Sequence, residues 1–339
     1  MLRAALSYKT RTERAAEAAE REARRLWRQV DRSRILDSWR LLAPALVTAI
    51  MTAQAEAAAA AAVYVDQALR AQNVDAPELG EINPFGLVGW ASDGRPLGTL
   101  LLSPAFTAIQ ALNQGATLTR SLSMGQAHTQ MIAATQVADA YRVATSVAGT
   151  TRRVRHYVRA ITPPSCSRCI ILAGDDIWWK TDFKRHPKCR CVSVPVDDPR
   201  SDLITDPKGY FDSLSESEQD RIFTVAGARA IRDGADMGRV VNARRKAAGM
   251  AGAAEGQRGR LRRVNVYGAD MFITSELTLY GAQGQKLVRM MPETIYERAR
   301  DHEDAVRLLR VHGYIYETPR ERDARHQRER DAFVRLTNR

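Results

Sequence analysis

Between Thr10 and Asn73 the apolar positions recur at three- and four-residue intervals, the period of one helix face. Leu26, Trp27, Val30, Ile35, Leu36, Trp39 and Leu42 form one broad stripe, and Glu and Arg interleave at helix spacing over Glu13 to Arg25. Pro44 predicts a break or a new first turn, and the alanine run Ala53 to Ala62 predicts a slim helix suited to close packing on another. From Asp75 to Gly98 the period is lost. Asn83-Pro84-Phe85-Gly86 and Asp93-Gly94-Arg95-Pro96 there read as an extended connection, after which helices are expected near Ser103 to Ser123 and Gly125 to Ala148.

At Gly149 the pattern shifts towards alternation. Thr151 to Thr162 sets Val154, His156, Val158 and Ala160 against Arg153, Arg155, Tyr157 and Arg159, which predicts a strand ended by Pro163-Pro164. A short helix over Ser167 to Leu172 closes at Gly174, and Asp176 to Lys180 and Arg190 to Val196 read as further strands. Helical spacing then returns. Ser215 with Glu218 makes a capping box ahead of Ile222, Phe223, Val225 and Ala226, and helices are expected over Asp236 to Ala248, Pro292 to Arg300 and Asp301 to His312. The fold class is therefore α+β, a mainly helical chain with a small strand-rich Cys/His module in the middle. We expect an N-terminal helical region over 1–150, the module over 151–200, and a C-terminal helical region over 201–339 that carries a basic loop and an Arg-rich tail.

Charge adds a partner class to this picture. Lys and Arg number 51 against 39 Asp and Glu, a net charge of +12, which favours contact with a polyanion or an acidic surface. The excess is densest between Arg239 and Arg263, where Arg239, Arg244, Arg245, Lys246, Arg258, Arg260, Arg262 and Arg263 face one Glu. The Gly, Ala and Arg content of that stretch reads as a mobile loop, either a solvated one or a non-specific DNA contact. No membrane contact is expected, because Leu41 to Ile50 is interrupted by Pro44 and falls short of the roughly 20 apolar residues of a span.

The candidate chemistry is confined to residues 166–191. Cys166-Ser-Arg-Cys169 and His186-Pro-Lys-Cys189-Arg-Cys191 hold all 4 cysteines of the chain. Two thiols two residues apart can face one point from a tight turn, and the second cluster could complete a structural zinc site using Cys166, Cys169 and two of His186, Cys189 and Cys191. Cys189 and Cys191 would point oppositely in a plain strand. Disulfides and plain buried thiols are the other readings; with no secretory signal evident, a reducing compartment is the expectation. A Cys–His nucleophile would need one activated thiolate, which no residue pattern singles out.

Tyr157 to Pro195, and above all Phe183-Lys-Arg-His186-Pro-Lys-Cys189-Arg-Cys191 followed by Val192-Ser-Val-Pro-Val196, resembles the Mu F-like minor head proteins of tailed bacteriophages. The blocks Leu214 to Phe223, Ala228 to Asp236 and Val240 to Arg245 are similar to members from phages of actinobacteria. The resemblance implies a low-copy component of the phage head, made in the host cytoplasm and placed in the virion. Its implied partners are the portal protein, coat or scaffold protein, and packaged double-stranded DNA. Some members are also labelled capsid maturation proteases, which here would draw on Cys166 or Ser165 with His186. The chain has no His-Glu-x-x-His, Gly-x-Ser-x-Gly or Gly-rich phosphate loop, so we expect a structural and assembly role with no catalytic residues. A nucleic-acid-binding protein outside any virion is the third reading.

Overall fold

The computed structural model describes residues 3–80, 83, 86–161, 165–174, 177–179, 181, 183–189, 191–198, 203–247, 262–266, 269–273, 278–280, 286–288 and 290–315, with the side chains of 244–247 and of 262–288 outside the description. It is an α+β chain, mainly helical, with a three-stranded antiparallel sheet in its middle. Two compact units divide it: residues 1–165 with 172–207, and residues 166–171 with 208–339.

The first unit is built on three long helices, α1 (Arg3–Trp27), α2 (Ile35–Arg70) and, further along, α5 (Leu118–Thr151), with the short α3 (Leu97–Leu100) and α4 (Ser103–Asn113) between them. α5 packs along α1, α2 and α4. The stripe seen in the sequence lies in this core: Leu26, Trp27, Ile35 and Trp39 are buried, and so are Ala53, Ala57, Ala58, Ala60 and Ala61 of the alanine run. Tyr8 stacks on Tyr64 with ring centroids 4.0 Å apart and donates to the Tyr141 carbonyl at 2.9 Å, so the three long helices meet at one aromatic cluster. Burial pushes the Tyr8 and Tyr64 phenols well above their ordinary pKa.

Three expectations are corrected here. Pro44 neither breaks α2 nor starts it: it sits inside a continuous helix on an exposed position, where the loss of one backbone bond is outweighed by burial of Trp39, Ala43, Leu46 and Ile50. That helix is long and apolar enough to cross a membrane, contrary to the reading from Leu41 to Ile50, although it packs against α1 and α5 here. Two helices do follow, as expected, but the break between them lies at 114–117 and not near Gly125: α4 stops at Asn113, and residues 118–125 belong to α5. Gly115 at φ +85° ends the preceding segment, and the Thr117 side chain accepts from Arg120 N as the N-cap.

α5 ends one turn past Ala148, and β1 (His156–Ala160) follows; α6 is Ser167–Ile171, β2 is Ile177–Trp178 and β3 is Val192–Val196. The sheet order is β2-β1-β3, with Val158 opposite Val194 and Ala160 opposite Val192. The expected two-faced alternation does not hold, because Tyr157, Val158, Arg159 and Ala160 are all buried. Pro195 is tolerated because β3 is an edge strand. Its outward carbonyls are taken up by α2, Tyr64 donating to Ser193 O and Gln72 to Pro195 O, each at 2.8 Å.

Besides the α6 segment, the second unit holds α7 (Pro207–Asp212, from Lys208 on), α8 (Glu216–Phe223), α9 (Val225–Arg232) and α10 (Met237–Ala247). The capping box is present as read, with Ser215 and Glu218 bonded reciprocally. The helix expected to run on through Val225 and Ala226 is interrupted at Thr224, which takes φ +66° and caps α9. The helix expected over Asp236 to Ala248 is present as α10, so the stretch read as a mobile loop is helical as far as Ala247, and Arg262 and Arg263 open β4 (Arg262–Val266), paired with β5 (Ala269–Ile273). β6 (Thr278–Tyr280) and β7 (Lys286–Val288) make a second pair, so strands stand in a region read as helical. α11 (Pro292–Arg298) and α12 (His302–Val311) close the described chain; the Arg-rich tail lies outside it.

Candidate metal centre

The segment from Phe183 to Cys191 is a knuckle built on one tight turn. Cys189 N donates to His186 O at 3.0 Å, Pro187 occupies the first corner, and Lys188 takes the second in the left-handed conformation at φ +60°. That turn returns Cys189 towards His186. Cys189 and Cys191 both precede β3, which starts at Val192, so the strand geometry that would point them apart does not apply. The Cys166-x-x-Cys169 pair is set by α6, where Ile170 N donates to Cys166 O at 3.1 Å.

Their ligand atoms come together in two triads, Cys166/Cys169/His186 and Cys169/Cys189/Cys191, with all atoms of a triad within 4.8 Å of one another. No disulfide joins the four cysteines. Cys169 belongs to both triads. Cys169, Cys189 and Cys191 are buried, whereas Cys166 is exposed. The donor set fits a borderline-soft metal. Zinc holds thiolates at about 2.3 Å, which places neighbouring sulfurs about 3.8 Å apart in a tetrahedron, inside the 4.8 Å within which the donors of each triad lie. His186 Nδ1 lies 2.8 Å from Pro187 O; a proton held there leaves the Nε2 lone pair for a metal.

Positive charge and α5 hold the knuckle in place. Thr135, Asp139 and Arg142 occupy one face of α5. Thr135 accepts from Lys188 N at 3.1 Å, and Arg142 donates to Cys191 O at 2.9 Å and also to Cys189 O. Asp139 Oδ1 lies 2.7 Å from Arg142 and 2.6 Å from Arg185. Lys188 reaches Glu20 of α1 at 3.0 Å, which ties down the strained corner. From β1, Arg159 is 1% exposed, lies 3.9 Å over the Phe183 ring, donates to Lys184 O, and brings a guanidinium nitrogen 3.9 Å from Cys189 Sγ. A cation beside a thiol favours the thiolate, the form that ligates. Sequence reading missed Asp139, Arg142 and Arg159. Polar residues at helix spacing within an otherwise apolar face, and an Arg in an otherwise buried strand, were the available signals.

The basic residues are less gathered. Arg239 is half-buried in α10 and donates to Gly313 O, so part of its charge is committed inside the unit. Arg244, Arg245 and Lys246 follow on the same helix, and Arg262 and Arg263 lie in β4, with their side chains outside the description. Arg258 and Arg260 fall outside the described residues altogether.

The fold and this centre define a helical scaffold carrying a Cys/His knuckle braced by buried arginines. Comparison with protein-family models, with curated proteins and with solved structures finds no match.

Proposed function

We propose that the chain is a minor structural and assembly protein of a bacteriophage head, of the Mu F-like kind, with a zinc ion stapling its Cys/His knuckle. The supporting observation is that the residues carrying the resemblance, His186, Cys189 and Cys191 with Cys166 and Cys169, are also those whose donor atoms converge. Four of these five donors hold the zinc, and its binding free energy becomes folding free energy for a segment with little core of its own. The helical surfaces engage portal, coat or scaffold protein. The positive charge contacts packaged double-stranded DNA through phosphates, without sequence preference. Quantitative mass spectrometry of purified particles tests the location: low-copy presence in heads supports the reading, and absence from heads refutes it.

The protease reading has one observation in its favour, the exposed Cys166 thiol in the same triad as the His186 imidazole. Incubation with coat or scaffold protein separates the two readings. Cleavage abolished by Cys166→Ser, with metal content retained, identifies a protease; no cleavage by a zinc-loaded protein identifies the assembly role.

A further inference from the structure

A second feature lies at the other end of β1 and has no part in the metal centre. Thr150, Arg153, Val154, Arg155, Trp178 and Trp179 line a pocket of ≈ 440 Å³, within the size range of small-ligand sites. Trp178 and Trp179 are 38% and 41% exposed, an unusual state for two consecutive indoles. β2 holds them there: Trp179 N donates to Arg155 O at 2.9 Å, and the Trp178 ring packs edge-on to His156 with centroids 5.0 Å apart. Arg153 and Arg155 are exposed, and among the described residues the ion pairs at this end of α5 are those of Arg152, with Asp66 at 3.5 Å and Glu78 at 3.0 Å.

The backbone at Arg153 supplies an independent observation. Arg153 N donates to Thr150 O at 3.1 Å and Val154 N to Gly149 O at 2.9 Å, the paired bonds of a helix C-terminal motif whose left-handed position is normally glycine. Here that position is Arg153, at φ +58°. A residue kept where glycine would be less strained points to a use for its side chain. That side chain lines the pocket.

We propose that this pocket binds unpaired nucleotides of a single-stranded nucleic acid, with a base stacked on the indole of Trp179 or Trp178 and the adjoining phosphates held by Arg153 and Arg155. Indole faces accept any base, and guanidinium groups accept any phosphate, so the site reads single-strandedness rather than sequence. Duplex DNA hides its base faces and loses the stacking part of this recognition. The proposal is independent of the head-protein reading, because it uses neither the knuckle nor the stretch Arg239 to Arg263.

The test is fluorescence anisotropy of a labelled oligothymidylate with the full chain, its Arg153→Gly variant and its Trp179→Ala variant. A blunt duplex and an oligoglutamate peptide serve as competitors. Arg153→Gly relieves the left-handed strain, so its melting temperature is expected to be unchanged or higher while affinity for the single strand falls about tenfold. Trp179→Ala is expected to lose a similar factor, and the duplex to compete weakly. Binding that both variants leave intact overturns the proposal, as does no binding at all. Competition by oligoglutamate equal to that by oligothymidylate also overturns it, and assigns the pocket to an acidic protein segment.

Discussion

Asp139→Ala should be the single substitution in α5 that most damages the knuckle. Asp139 is 3% exposed, and its carboxylate is the counter-ion of the equally buried Arg142, which in turn bonds the carbonyls of Cys189 and Cys191. Removing the acid leaves a buried guanidinium without its counter-ion, for which the cost is about 3–5 kcal/mol. The lower end applies, because Arg142 retains its two carbonyl partners. The Arg185 pair adds little, since its side chain is 36% exposed and a solvent-accessible pair is worth about 0–1 kcal/mol. We therefore expect a loss of about 3 kcal/mol, a large part of the roughly 5–15 kcal/mol available to a folded unit, together with loss of bound metal. In an Arg142→Met background no buried charge remains to be stranded, so the same Asp139→Ala change should cost less than about 1 kcal/mol. Urea denaturation of the four proteins, with metal content measured on each, gives the coupling. Equal cost in both backgrounds, or a single-variant cost under about 1 kcal/mol, refutes the account of how α5 braces the knuckle.

Three further outcomes follow from named contacts. Protein purified without chelator should carry about one zinc per chain and lose it on Cys169→Ser, since Cys169 stands in both triads. Metal affinity should fall as pH is lowered, because protons compete for the thiolates and the imidazole; no metal, with unchanged stability after Cys169→Ser, refutes the site. Gly125→Ala would set a Cβ 2.1 Å from Trp27 Cζ2 and push the indole off its 2.9 Å bond to Leu122 O. Overpacking and a broken hydrogen bond exceed the roughly 1 kcal/mol gained in helix propensity, so a net loss of about 2 kcal/mol is expected in urea denaturation, and a stabilised variant would contradict the packing. Burial lowers the His128 pKa, and its Nδ1 lies 2.7 Å from Thr107 Oγ1. The unfolded chain takes up a proton that the folded chain refuses, so the stability attributable to His128 is present above the ordinary histidine pKa and lost as pH falls through it towards the folded value. The stability difference between wild type and His128→Gln should shrink across that window, and a flat difference would exclude the linkage.

What the sequence determined by itself was local. The helix stripe of α1 and α2, the Ser215–Glu218 capping box, the run Val192 to Val196 and the clustering of every thiol near His186 were legible because each is set by period, capping chemistry or spacing within a few residues. The turn at His186-Pro187-Lys188-Cys189 was not read from the sequence, although proline marks a first corner, and a lysine at φ +60° carried no local signal because its support comes from Glu20 on a distant helix. Pro44 and Gly125 misled for the same reason. Their local preference for a break was overridden by burial of Trp39, Leu46 and Trp27, and burial depends on which helices come together. The tertiary structure alone decided that Asp139, Arg142 and Arg159 meet the knuckle and that Arg153, Trp178 and Trp179 share a pocket. Charges and indoles far apart along the chain carry no mark of their neighbours until the long helices pack and the β1 register sets which side chains stand together.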